Sequence, residues 1–232
     1  MTRARTILTV GASTAVAAWL GLRLWPAGVA VPAGVAVPAR VAVPAGETSA
    51  PTAADRVSAG SLAAAGKIPA QLPAFTLNAP DGKPLPIETF KGRSLVINFW
   101  ATWCGPCRKE IPLLESVAAA QAAHGLTVVG VAVDRPAAVA GFARRFGISY
   151  PLMTGEQDAL AVATALGVAE PVFPFTVFTD RRQRIVALYL GELHRPQLDL
   201  ILSVVHGVNA GRIGLPAARD AIATGLAHLN AA

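Results

Sequence analysis

The chain has 232 residues, 53% of them hydrophobic and 15% charged, which allows one ordinary domain with added segments and not two large ones. Its two cysteines are three positions apart, so no disulfide framework staples the fold and both sulfurs belong to one local site. The formal net charge of +6 comes from scattered groups (Arg3 and Arg5, Arg108 with Lys109, Arg144 with Arg145, and Arg181, Arg182 and Arg184), with no long basic run and no interleaved aromatics, so no nucleic-acid partner is expected.

Ile7 to Trp25 is apolar apart from Arg23, and as a helix it would reach ~28 Å, close to the thickness of a hydrocarbon core. Arg3 and Arg5 precede it without an acidic neighbour, so the positive-inside rule keeps the N-terminus cytoplasmic and exports the rest. Residues 1–25 are therefore expected to be a single-pass anchor. A cleaved leader is the alternative, since Ala15-Val16-Ala17 resembles a small-residue cleavage site, and both readings give the same compartment. Residues 26–66 hold the six-residue unit Val29-Ala-Val-Pro-Ala-Gly34, two further copies of it, the first ending in Arg40, and then a small-residue tract. Three short copies with a proline in each are too few and too donor-poor for a β-helix, so this stretch reads as an extended spacer.

Globular patterning runs from 67 to 206. Phe75–Asn78, the Asp81-Gly82 turn and Leu85–Ile87 read as a small hairpin. Ser94–Trp100 is a nearly continuous apolar run suited to a strand buried on both faces. A helix from Cys104 with Ile111, Leu114 and Val117 or Ala118 on one face is expected to end by His124-Gly125, followed by a buried strand over Leu126–Val133. Pro136–Phe146 has a first-turn proline and Gly147 as its stop. A short strand over Ile148–Met153, a helix over Gln157–Leu166, strands over Phe175–Thr179 and Arg184–Leu190 about the Asp180–Gln183 turn, and a helix over Pro196–His206 complete a mixed α/β domain. Residues 207–232 carry a further helical pattern from Leu215 to Asn230, and the pattern does not say whether it packs or hangs free.

The chemistry lies at Trp103-Cys104-Gly105-Pro106-Cys107. A thiol in the first turn of a helix meets unpaired N–H groups and the positive end of the helix dipole, which favour thiolate. Cys104 is placed to be that nucleophile, and Cys107, one turn later on the same side, can close a disulfide with it and release a mixed disulfide. Pro106 suits the first turn, Gly105 lets another chain approach, and Trp103 covers the site with apolar surface. The expected redox group is the cysteine pair itself, with no cofactor and no metal: His124, His194, His206 and His228 are far apart and stand at no ligand spacing.

Asn98 to Cys107, followed by Arg108-Lys109-Glu110-Ile111-Pro112, resembles the thioredoxin superfamily, and within it the TlpA/ResA/CcmG-like exported reductases. The resemblance also covers Gly82–Gly92, Val131–Asp134 and Val172-Phe-Pro-Phe-Thr176. It implies a thioredoxin fold, a central mixed β-sheet flanked by helices, with an N-terminal hairpin and an α/β insertion. It further implies a cis Pro174 facing the cysteines, partner-peptide contacts at Pro174 and Phe173, and Glu110 as the acid/base group for Cys107. Two departures stand out: Phe175 replaces a small hydroxyl residue after the proline, and Asn98 replaces the buried aspartate of thioredoxins proper. The activity implied is reduction of disulfides in cysteine-containing exported proteins, such as apocytochrome c or copper-site proteins, on the periplasmic side of the bacterial inner membrane. Electrons would come from a membrane thiol–disulfide carrier. The competing class is a binding module or metallochaperone that holds partner cysteines or copper.

Overall fold

The computed structural model describes residues 68–231. The Ile7–Trp25 segment and the spacer after it lie outside the described residues. Among the described residues no helix is long and apolar enough to cross a membrane.

The elements in chain order are β1 (Thr76–Asn78), β2 (Pro84–Pro86), β3 (Ser94–Trp100), α1 (Gly105–Gln121), β4 (Leu126–Ala132), α2 (Pro136–Phe146), β5 (Leu152–Thr154), α3 (Gln157–Ala165), β6 (Phe175–Thr179), β7 (Ile185–Leu190), α4 (Arg195–Asn209) and α5 (Leu215–Ala231). The strands form one mixed sheet in the order β2-β1-β5-β4-β3-β6-β7. β3, β4 and β5 are parallel neighbours, whereas β6 runs antiparallel to β3, and β7 to β6. This is the thioredoxin-type α/β architecture, with the β1–β2 hairpin added at one edge through β5.

All seven residues of β3 are buried, which explains its unbroken apolar run: it lies in the middle of the sheet with helices on both sides. Val96 and Trp100 point into a core built with α1, α2, α4 and α5, while Leu95, Ile97 and Phe99 point into the opposite core with α3. α2 starts on Pro136 and stops at Gly147, whose φ of 66° is the left-handed value glycine accepts most readily. The basic triplet at the β6–β7 turn resolves into turn chemistry. Asp180, 2% exposed, accepts from the Arg182 and Arg184 main-chain N–H groups and pairs with the Arg184 guanidinium at 2.7 Å.

One strand is displaced from its expected position. The strand expected at Ile148–Met153 is Leu152–Thr154, because the residues before it are held by other partners. Ile148 N–H donates to Ala143 O at the end of α2, Ser149 donates through both N–H and Oγ to the Glu115 carboxylate, and Pro151 has no N–H to give a ladder. α4 also runs on past His206 to Asn209, and α1 gives way to a single 3-10 turn at Ala122–His124 before Gly125.

The C-terminal helix packs. Ala218, Ile222 and Leu226 are buried in the same core as Leu198, Ile201 and Val205 of α4, and the Arg219 guanidinium donates to Ile185 O on β7 at 2.6 Å. At Gly225 the helices come so close that an added Cβ would lie 2.6 Å from Leu200 Cδ2. Ile222→Ala should therefore cost roughly 2–5 kcal/mol of stability in urea unfolding, whereas a value near zero would mean that α5 contributes nothing to the domain.

Candidate active site

β3 delivers the chain to the site. Beyond Trp100 it turns, with Cys104 N–H donating to Ala101 O at 3.1 Å, and α1 begins at Gly105. Cys104 is the residue that caps α1: its backbone is extended, and its sulfur accepts from Cys107 N–H at 3.2 Å. The N-terminal position expected for the nucleophile is thus occupied by Cys104 Sγ, where helix N–H groups and the dipole stabilise negative charge. Cys104 and Cys107 are joined as a disulfide with Cα atoms 5.3 Å apart. Cys107 is fully sealed, while Cys104 keeps 5% of its surface. Of the two residues, only Cys104 keeps any exposed surface.

Trp103 stands 68% exposed beside this disulfide. Its ring meets Phe173 edge-on, with centroids 6.1 Å apart. The Phe173–Pro174 peptide is cis. Phe99 pairs with Phe175, so continuing the antiparallel register places Pro174 beside the end of β3, where the chain turns toward Cys104. Pro174 O accepts from Gly191 N–H at 2.9 Å, which fixes the loop before β6 to the end of β7. A Cβ built on Gly105 would meet nothing within 4 Å, and its φ is an ordinary one, so the fold itself does not demand glycine there.

Glu110, one turn after Cys107, is 2% exposed. Its Oε1 accepts from Asn98 Nδ2 at 2.6 Å and its Oε2 from Leu193 N–H at 2.9 Å. Asn98 Nδ2 donates also to Thr176 Oγ1 at 3.0 Å, so both amide protons are used. Burial raises the Glu110 pKa from 4.5 to about 7; the Leu193 and Asn98 hydrogen bonds oppose that rise, and the nearby Glu192 charge adds to it. The carboxyl can therefore change protonation near neutral pH. It hydrogen-bonds neither cysteine among the described residues.

Sequence reasoning missed two parts of this arrangement. The Leu193 contact is made by a main-chain N–H, for which no residue type could signal. Asn98 reads in the sequence only as a lost aspartate, whereas in the fold it is the donor that holds Glu110. Among the described residues no group of three or more His, Cys, Asp or Glu is gathered as a metal site. A cleft of ≈ 450 Å³ lined by Gln71, Lys91, Arg181 and Gln183 lies at the opposite end of β3 from the cysteines. It encloses none of the chemistry above.

Residues 67–202 match the family described as Redoxin. The chain is 28% identical over 127 residues to the thiol-disulfide oxidoreductase ResA of Geobacillus thermodenitrificans, an alignment covering 54% of this chain and 71% of that protein. Among solved structures it is similar to a secreted thiol-disulfide isomerase from Corynebacterium glutamicum, at 27% identity and a TM-score of 0.51 over 59% of this chain and 86% of that one. It is also similar to the thioredoxin domain of a thiol-disulfide oxidoreductase from Bacteroides vulgatus, at 26% identity and a TM-score of 0.50 over 63% of this chain and 99% of that one.

The raised Glu110 pKa has a consequence for stability. Below about 4.5 both the folded and the unfolded chain hold the proton. Between 4.5 and about 7 the unfolded chain has released it and the native state has not, so stability falls as pH rises, levelling off above 7. Denaturant titrations across this window should show a decline of the order of 3 kcal/mol that Glu110→Gln flattens. An unchanged pH profile in the variant would show that another group carries it.

Proposed function

The chain belongs to the Redoxin family, and from that premise we propose that it reduces disulfides of selected exported proteins through the Cys104–Cys107 pair. It is a TlpA/ResA/CcmG-like member of the thioredoxin superfamily and a thiol–disulfide oxidoreductase. The finer reading is a periplasmic reductase tethered by residues 1–25, fed by a membrane thiol–disulfide carrier and acting on cysteines of the apocytochrome c or copper-site kind. The observation that supports exchange through this pair, with Cys104 as the attacking residue, is the asymmetry of the two cysteines. Cys104 caps α1 and keeps an outer surface beside exposed Trp103, whereas Cys107 is sealed beneath it.

The cycle follows from that asymmetry. Cys104 thiolate attacks one sulfur of the partner disulfide, forming a mixed disulfide and expelling the partner's other sulfur as thiolate. Cys107, having given up its proton, then attacks Cys104 Sγ. The partner leaves as a dithiol, and this protein is left with the disulfide: two electrons have passed to the partner. Glu110 is the group assigned to take the Cys107 proton, because its pKa of about 7 makes it a base at neutral pH without committing it to the charged state. Pro174 and Phe173 line the side from which the partner's extended segment approaches, and Trp103, Gly105 and Pro106 form the surface around the attacking sulfur.

Removing the resolving thiol should arrest the cycle at the mixed disulfide. Full-length Cys107→Ala, alkylated and run without reductant, should accumulate partner adducts through Cys104 that vanish in the Cys104→Ala, Cys107→Ala double variant. If no adduct forms and the protein binds copper(I) instead, the metallochaperone reading replaces this one.

A further inference from the structure

The aromatic residues around the cysteines form a continuous column from the core to the surface. Phe99 of β3 and Phe175 of β6 are a cross-strand pair, both fully buried, with rings stacked at 4.4 Å and 9°. Phe175 lies nearly parallel to Phe173, at 16° and 6.2 Å, and Phe173 meets Trp103 edge-on. The last ring projects into solvent one residue before Cys104. Four large apolar side chains are more than a third exposed among the described residues, and two of them, Trp103 and Val172 at 68% and 63%, flank Phe173 beside the redox disulfide. Apolar surface gathered in this way marks a contact site more often than scattered single residues do.

We propose that this column makes the protein selective for partners that carry a bulky apolar side chain next to the reacting cysteine, and that Phe175 is the positioning residue that sets the selectivity. The inference rests on the oxidoreductase reading above and names the partner class for the same site. The occupant is the cysteine-bearing segment of the partner, because the patch is continuous with Cys104: any chain that brings a sulfur to Cys104 Sγ lays its neighbouring residues on Trp103, Phe173 and Val172. An apolar neighbour there removes water from both surfaces, whereas a polar one loses its water with only ring and methyl surface in return. The stack makes the contact cheap in entropy. Phe173 is held between a buried ring and Trp103, so the surface is largely arranged before the partner arrives. A small residue at 175 would leave Phe173 without its inner neighbour and free both outer rings to reorient.

The test uses full-length reduced protein and two synthetic peptides, each closed by an internal disulfide and identical except for leucine or serine beside one cysteine. Wild type should reduce the leucine peptide about tenfold or more efficiently by kcat/KM. Phe175→Thr should bring that ratio close to one by raising KM for the leucine peptide, while the Cys104–Cys107 midpoint potential stays that of wild type. Trp103→Ser, which alters an exposed side chain and spares the core, should erase the same preference even if Phe175→Thr fails to fold. Equal rates on the two peptides, or a preference that survives Trp103→Ser, overturns the proposal while leaving the oxidoreductase reading intact. Failure to reduce either peptide overturns both. A concentration-dependent dimer that Trp103→Ser dissolves would give the patch to a second copy of the chain and overturn the choice of occupant.

Discussion

The position of the redox helix depends on one sealed carboxyl group. Glu110 receives a hydrogen bond from Asn98 in the central strand and another from the Leu193 main chain in the loop after β7, so α1, β3 and that loop meet at a single side chain. The same loop reaches the other side of the site through Gly191 N–H and Pro174 O. Cysteines, cis-proline loop and sheet are thereby tied into one ring of contacts. A buried polar group is costly when unpaired, so loss of either donor would be felt at all three segments. Placing the joint on a titratable group has a second effect. The side chain that joins these segments also changes charge near neutral pH.

The conformation of α1 supplies the rest of the chemistry. The redox sulfur occupies the place of a capping side chain, accepting from Cys107 N–H where a serine or aspartate oxygen would ordinarily do so. The thiolate formed on reduction would keep that donor and the dipole behind it. Gly105 and Pro106 then complete the first turn with no bulk between Cys104 and an approaching chain. What lies beside the sulfur is chiefly apolar ring surface, in contrast to the charged residues Arg108 and Lys109 on the outer side of the helix.

Much of this was legible from the residues because it is encoded locally. The unbroken apolar run of Ser94–Trp100 needs burial on both faces, and the sheet supplies it; Pro136 and Gly147 bound α2 by their own backbone preferences; and the Cys104–Cys107 spacing is a property of one helical turn. The parts that were not legible depend on contacts distant in sequence. β5 starts later than its apolar residues suggest because Ser149 is claimed by Glu115, more than thirty positions earlier. Leu193 acts through its main chain. The Phe99–Phe175 stack exists only in the antiparallel register of β3 and β6, which turns a departure from the family pattern at Phe175 into a structural link between core and surface. The packing of α5 likewise follows from its closeness to α4 at Gly225, a glycine whose helical pattern gives no sign of the partner lying against it.

Whether Cys104 and Cys107 act as one exchanging, electron-donating pair is decided by a redox equilibrium. The full-length protein would be poised in graded ratios of reduced to oxidised dithiothreitol, alkylated, and read by mass for free thiols at both positions. Cys104 and Cys107 should titrate together in a single two-electron transition with a midpoint near that of thioredoxin, ~−270 mV. A midpoint near ~−120 mV, the range of a strong oxidant, or cysteines that fail to titrate as a pair, would contradict it.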